Sequence, residues 1–492
     1  MEKKEIVIIG AGPTGLGAAW RLRELGFEDF ILIDTSTQAG GLATSFRDEQ
    51  GFTWDLGGHV QFSHYEIFDE YMDLALGKDG WFHHERESWV WMRNRFIPYP
   101  FQYNLHCLPN EEKWSCVQGL LKASLDGKWQ PQNFKEWILR TFGEGVAETF
   151  LFPYNSKVWA FPLERMGYKW VGERVAVPKM EKVLQGICLE QDQVSWGPNH
   201  KFRFPKHGGT GAIWKSLAAK LPQEQLIWGD STVSINGGEK TIRLASGRSF
   251  KYEHLISSMP IDKLSQCLNQ DDLIQRTSGL LFSGVHVIGV GLEGKTPEHL
   301  RTKCWMYFPE ADNPFYRVTV FSNYSPFNTP APGETWSLMA EVSQSPFKRV
   351  DSDEIVEKTL EGMRNTGLIR STDQVLSKWH KFLDHGYPTP SVNRDEMLDY
   401  TLSCLEEIEI YSRGRFGAWK YEVSNQDHSF MQGWECANRL CLGLGKEAEP
   451  TLYQAATIND QYNKRADAIS GTNNGNVGAS DTKESRQAKW TR

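Results

Sequence analysis

No two cysteines in this chain are spaced for a metal clip or a redox dithiol: the eight, at 107, 116, 188, 267, 304, 404, 436 and 441, include no Cys-x-x-Cys pair. In 492 residues they read as reduced thiols, which excludes a disulfide scaffold and gives no metal site. No apolar run approaches the ~20 residues of a spanning helix, so no membrane is expected as a partner. Positive charge is not in surplus either, with 54 Lys and Arg against 62 Asp and Glu and a net charge of −8. That balance offers no general attraction for nucleic acid, and an anionic ligand has to be met by local arginines. The chain opens Met-Glu-Lys-Lys-Glu and enters a hydrophobic strand at once, leaving no room for a targeting peptide, so a cytoplasmic location is expected. No internal repeat is visible.

Aromatic residues, by contrast, are plentiful at 12%, including 19 Trp, enough to line cavities or stack on ligands. The most telling stretch is Ile6-Val7-Ile8-Ile9 followed by Gly10-x-Gly12-x-x-Gly15 and a helix-compatible segment from Leu16 to Leu25. Gly10 suits a tight turn, Gly12 lets backbone approach a pyrophosphate, and Gly15 lets helix and strand pack closely. The helix N-terminus offers free N–H groups to phosphates. Asp34 closes the second apolar run, Phe30 to Ile33, where a carboxylate can accept from a ribose diol. A glycine-rich turn alone would be weak; strand, helix and acid together indicate dinucleotide binding. Further glycine-rich turns follow, Gly40-Gly41-Leu42 and Gly57-Gly58-His59, where a nicotinamide enzyme continues with βα units. That pattern favours FAD over NAD.

The fold class expected is α/β: a Rossmann-like FAD-binding domain with a helical insertion domain and a mainly antiparallel β-sheet domain. The FAD unit is assigned to 1–85 with 203–262 and 424–465, the helical unit to 105–202, and the substrate unit to 86–104 with 263–423. Helices are expected over 114–124, 134–150 behind an Asn133 cap, 352–364 and 394–408. Strands are expected at 285–290, 305–308, 315–323 and 335–342, and hairpin turns at Asn236-Gly237-Gly238 and Ala245-Ser246-Gly247. Residues 466–492 lack an apolar pattern and read as a disordered tail.

Arginines 86, 174 and 317 sit among apolar or aromatic neighbours, where a rigid guanidinium fork suits a diphosphate. Taken singly, each is as readily a surface ion pair, Trp159 and Phe101 as readily core rings, and His59 and His64 as readily satisfied structural histidines. Several stretches taken together are more specific. They are Gly57-Gly58-His59 with Phe62-Ser63-His64-Tyr65, Tyr99-Pro100-Phe101-Gln102, Pro153-Tyr154-Asn155 with Lys157-Val158-Trp159, and Gly172-Glu173-Arg174-Val175-Ala176. Trp196-Gly197-Pro198-Asn199, Phe315-Tyr316-Arg317, Asp384 to Pro390 and Asn425 to Met431 join them. In these motifs, from about residue 4 to about 455, the chain resembles the UDP-galactopyranose mutases of the eukaryotic-type branch.

The resemblance implies an isomerase that interconverts UDP-galactopyranose and UDP-galactofuranose without net redox change. Reduced FAD acts as nucleophile through N5 on the anomeric carbon, by way of a flavin–sugar iminium, and NAD(P)H is the external reductant. It implies that Arg317 and Arg415 grip the diphosphate of a small nucleotide sugar with Tyr307, Tyr387 and Tyr421, Asn425 lying nearby. Tyr99, Phe101, Gln102 and Asn155 would hold the uridine; Trp159, Arg174 and Asn199 would flank the sugar. His59 would sit over the flavin, Gln426 and Ser429 would touch it, and His64, Arg86 and Ser88 would meet the reductant. Glu87 departs from that pattern by placing a carboxylate beside the last group, where it opposes a phosphorylated nicotinamide. The resemblance leaves a homo-oligomer open. The dinucleotide signature alone leaves a second reading, an FAD-dependent oxidoreductase of the amine-oxidase or desaturase type.

Overall fold

The computed structural model describes residues 1–125, 129–193 and 201–459; Asn199, the last residues of the unit assigned to 424–465 and the tail 466–492 lie outside them. The first sheet is built on a parallel core. Strand Glu2–Ile9 pairs in parallel with Phe30–Asp34 on one side and Ser249–Ser257 on the other, and Phe30–Asp34 pairs in parallel with Leu226–Trp228. Alternate side chains of these strands go to opposite faces. Ile6, Ile8, Phe30 and Leu32 pack with Leu16, Trp20, Trp214 and Phe430, while Val7, Ile9, Ile31 and Ile33 pack with Leu264, Leu402 and Trp419. Both faces are covered, which is why the strands read as unbroken apolar runs. The hairpin Thr232–Asn236 and Thr241–Leu244 adds on antiparallel through Ser249 to Lys251. Strand Ile410–Ser412, which the sequence reading grouped with the substrate unit, pairs in parallel with Leu255 to Ser257. Its Ile410 and the neighbouring Trp419 belong to the core of this first sheet, and we propose the unit boundary accordingly.

The second sheet runs in the order Val375–Pro388, Phe282–Glu293, Thr335–Gln344, Arg317–Val320, Trp305–Tyr307, Ser88–Met92, Arg95–Pro98. All its pairings are antiparallel except that between Trp305–Tyr307 and Ser88–Met92. A Cβ on Gly289 would fall 2.6 Å from the Trp54 ring and one on Gly291 2.6 Å from the Phe52 ring. These two glycines let the stacked Phe52 and Trp54 lie flat on the sheet, and so seat the strand Thr53–Asp55 that runs into Gly57. The third unit carries Asn110–Leu125, Phe134–Val146, Phe152–Trp159 and Met180–Leu189. Asn133 caps Phe134–Val146 by accepting from the Glu136 N–H at 3.0 Å, and the expected helix to 150 gives way to a π-turn at Ala147–Leu151. Among the described residues no helix is long and apolar enough to cross a membrane.

One helix has a marked electrostatic peculiarity. Gln426–Leu442 crosses Pro13–Glu24 so closely that a Cβ on Gly433 would lie 1.8 Å from the Thr14 carbonyl oxygen. The same helix buries Glu435 against Thr451, whose hydroxyl donates at 2.8 Å and whose N–H donates at 3.1 Å. Burial pushes the Glu435 carboxyl up to about 8. A folded pKa above the unfolded value means that stability from this group is full below the unfolded pKa and is lost as pH rises through 8. Glu435→Gln keeps the shape without the charge. It is expected to match the wild type in thermal midpoint at pH 5 and to exceed it by several degrees at pH 8, the difference reflecting a few kcal/mol. Parallel pH–midpoint curves for the two proteins would refute the assignment.

Candidate active site

The first strand ends at Ile9 and turns through Gly10 at φ +100°, a conformation open to glycine. A Cβ there would sit 2.1 Å from Ser258 Oγ, and one on Gly15 would sit 1.7 Å from the Gly10 carbonyl oxygen. A Cβ on Gly12 would meet nothing closer than the Gly40 carbonyl oxygen at 3.8 Å, so here the backbone itself is what a ligand reaches. Helix Pro13–Glu24 begins without a side-chain cap and without an acidic residue in its first turn, leaving its N-terminal N–H groups for an anion. Asp34 accepts from the Ala11 N–H at 2.5 Å and the Ser36 N–H at 2.7 Å; burial pushes its carboxyl up and these bonds oppose that. Gly41, Leu42, Asp230, Thr232 and Ser258 complete this end of the cavity. An uncapped helix, a bare glycine and a carboxylate at the strand end fit a dinucleotide such as FAD.

The cavity continues past Gly57, Gly58 and His59 to a second chamber, with a total volume of about 890 Å³. That is the upper end for a ligand site, about 300–1,000 Å³, and is large for one small metabolite. Aromatic rings form its walls. Tyr99 and Tyr154 each lie 5.3 Å from Tyr307, and Trp159 lies 5.0 Å from Tyr421 and 6.0 Å from Tyr387. Arg415 sits 5.0 Å above the Tyr387 ring; its guanidinium donates to the Gly386 carbonyl at 3.0 Å and to Ser424 Oγ at 2.8 Å. Neither acceptor carries a charge, so Arg415 brings a net positive charge, although burial lowers its affinity for the proton.

Arg317 is different. Its Nε and Nη2 donate to the Glu341 carboxylate at 2.9 and 2.7 Å, and Nη2 lies 3.5 Å from the Tyr387 hydroxyl. Arg174 donates through Nη2 to the Glu422 carbonyl, while its buried Nη1 has no partner among the described residues. Burial, opposed by Glu341 and reinforced by Arg415 and Arg317, takes the His59 imidazole down to about 4. It is therefore neutral at physiological pH, and its buried Nδ1 has no partner among the described residues.

Most of the residues singled out in the sequence line this one cavity: Gly10, Gly12, Asp34, Gly41, Leu42, Gly57, Gly58, His59, His64, Arg86, Tyr99, Gln102, Asn155, Trp159, Arg174, Tyr307, Arg317, Tyr387, Arg415, Tyr421, Asn425, Gln426 and Ser429. Three do not. Gly15 is spent on helix–strand packing, Phe101 is wholly buried behind Phe150 with ring centroids 4.7 Å apart, and Ser88 is buried in its strand. His64 is engaged through Nδ1 with the buried Asp427 at 2.6 Å. Glu87 accepts from Thr302 Oγ1 at 2.8 Å and is not part of the cavity lining, unlike its neighbour Arg86. Sequence reading passed over Glu341 and Trp305 and gave no role to Tyr154 and Tyr316, which it quoted only within motifs; all four line the chamber. The signal available for Glu341 was a carboxylate inside the apolar run Trp336 to Val342, which a buried strand does not carry without a partner.

Comparison with known proteins agrees with this architecture. Residues 13–417 match the family model of flavin-containing amine oxidoreductases. The crystal structure of a reduced UDP-galactopyranose mutase superposes with a TM-score of 0.90 and 46% sequence identity, covering 93% of this chain and 99% of that one. A wild-type putrescine oxidase bound to putrescine shares the fold at a TM-score of 0.59 and 12% identity, over 89% of this chain and 99% of its own. An L-amino-acid oxidase of Demansia vestigiata is 30% identical over 158 residues, 31% of this chain, so the chain spans under a third, 29%, of that relative.

Proposed function

This chain belongs to the flavin-containing amine oxidoreductases and, within them, to the UDP-galactopyranose mutases, and from that premise we propose that it is an isomerase interconverting UDP-galactopyranose and UDP-galactofuranose. The observation that carries the reading is the meeting of Arg317 and Arg415 with Tyr307, Tyr387 and Tyr421 at one end of a cavity whose other end is a dinucleotide seat. Oxidation of an amine calls for no such cluster; departure of a diphosphate does. Bound and reduced, FAD would supply the nucleophile through N5 at the sugar's anomeric carbon.

The chain's own part is to bind, orient and balance charge. Arg415 and the Nη1 edge of Arg317 take the diphosphate, so that UDP is stabilised as it leaves and held for its return. The three tyrosine hydroxyls add neutral donors. Tyr99, Gln102 and Asn155 hold the uridine, and Phe101 acts from behind, packed on Phe150. Trp159 and Arg174 wall the sugar, and Gln426 and Ser429 hold the cofactor. NAD(P)H is the proposed external reductant, supported by Arg86 in the cavity wall 5.8 Å from the Tyr99 ring.

His59 enters this scheme as a neutral ring able to donate one hydrogen bond and accept another, adding no charge. Because it titrates near pH 4, the rate of dithionite-reduced enzyme is expected to show no acidic limb from His59 between about pH 5.5 and 8. A limb near pH 6.5 that vanished in His59→Gln would contradict this. The function itself is tested by incubating reduced, FAD-loaded protein with UDP-galactofuranose and separating the products. UDP-galactopyranose without oxygen uptake is the expected result. No conversion by reduced, FAD-loaded protein would sink the reading, and turnover with oxygen consumption would favour an oxidase.

A further inference from the structure

Glu341 lies 2% exposed in the middle of a strand whose other residues are almost all apolar or small. An isolated carboxylate there would be expensive to bury, and this one is fully engaged. Oε1 accepts from Arg317 Nε at 2.9 Å and Nη2 at 2.7 Å, and from the Gly58 N–H at 3.0 Å. Oε2 accepts from Arg317 Nη2 at 2.7 Å and from the Tyr316 hydroxyl at 2.6 Å. Sheet register explains the first set, since Arg317 is the antiparallel partner of Glu341 and their side chains share a face.

Register does not explain Gly58, which reaches Glu341 from a different part of the chain, 283 residues away. Gly57 has φ +131°, and a Cβ on Gly58 would fall 2.8 Å from Trp305 Nε1, 3.1 Å from Thr319 Oγ1 and 3.5 Å from Glu341 Oε1. The turn that carries His59 is therefore seated in a polar cage in which only a glycine fits, with Glu341 as the acceptor for its N–H. Trp305 Nε1 makes no hydrogen bond among the described residues, so Glu341 holds this side of the turn without its help.

We propose that Glu341 is a positioning residue that ties the Gly57–His59 turn, on the dinucleotide side of the cavity, to the Arg317 fork, on the side of the second ligand. This rests on the nucleotide-sugar reading above and deepens it. One carboxylate fixes the Nε and Nη2 side of Arg317, leaving its Nη1 edge for a diphosphate, and through Oε1 also fixes the backbone from which His59 projects. Loosening the carboxylate should then disturb both ends of the cavity together.

The test uses full-length, FAD-loaded protein and two readouts independent of turnover: affinity for UDP by titration, and the reduction midpoint of the bound flavin. In Glu341→Gln one acceptor oxygen becomes a donor that faces donors. The UDP dissociation constant is expected to rise about tenfold, the scale of one lost charged hydrogen bond, and the flavin midpoint to shift in the same variant. Tyr316→Phe, which removes one bond from Oε2 without touching the charge, should move both readouts the same way by less, and serves if the first variant does not fold. A change in thermal stability alone, with both readouts at wild-type values, would make Glu341 merely structural. Movement of only one readout would also overturn the tie. If wild-type protein itself failed to bind UDP, the nucleotide-sugar reading would fall rather than this one.

Discussion

Replacing Arg415 with alanine is expected to leave a folded, FAD-loaded protein whose kcat has fallen by about 10²- to 10³-fold, the usual effect of deleting one donor to a developing anion in a dry site. The stability side of this prediction comes from its partners. Arg415 donates to the Gly386 carbonyl and to Ser424 Oγ, so its removal strands no charge and the thermal midpoint should move little. Affinity for UDP should fall as well, and more steeply at low ionic strength, because an uncompensated cation is lost. Steady-state kinetics of reduced enzyme and a thermal melt settle both halves. Turnover near the wild type would remove Arg415 from the diphosphate site.

Arg317→Ala should lose activity on a similar scale but behave differently in the melt. Its guanidinium neutralises Glu341, which is 2% exposed, with 2.7 Å between Arg317 Nη2 and the carboxylate. Cutting one partner of a buried pair leaves the other unpaired, at a cost of about 3–5 kcal/mol. The variant should unfold at clearly lower temperature, and adding Glu341→Gln should recover part of that loss while leaving activity low. Arg317→Ala as stable as Arg415→Ala would mean that the Glu341 pair contributes little to the fold. The two arginines look alike in the sequence; only their partners distinguish them.

How far residues could be read ahead of the structure followed the range of the interactions involved. The dinucleotide cradle was legible because its parts are local: the strand, Gly10, Gly12, Gly15 and the helix follow one another, and Asp34 ends the next strand. The hairpins around 237 and 246 were legible for the same reason. Helix Phe152–Trp159 was missed because Pro153 and Asn155 look like loop residues; proline is tolerated in a first turn, and Asn155 donates back to the Leu151 carbonyl at 2.8 Å. The long strand Val375–Pro388 was missed because it is an edge strand, with exposed Lys378, Lys381 and Asp384 interrupting any alternation. Arg317 stood out by its aromatic neighbours and by the resemblance, but its pairing with a carboxylate was not legible. What an arginine does in a cavity depends on whether a carboxylate from another strand has already claimed it, and Glu341 becomes its neighbour only through sheet register.

The pairing of the first strand with residues 250 to 257 has a consequence for how the protein is made. Residues 2–9 can pair with Phe30–Asp34 as soon as both are made, yet their other sheet neighbour lies at 250–257, and the helix that packs on Pro13–Glu24 comes later still, at Gln426–Leu442. Until then a very apolar strand has an unpaired edge, the arrangement that slows folding and invites aggregation. Fragments truncated before residue 250 should be insoluble when expressed. Cofactor loading should be a late event, since Gln426 and Ser429, which line the same cavity as Gly10 and Gly12, are added only after most of the fold has been made.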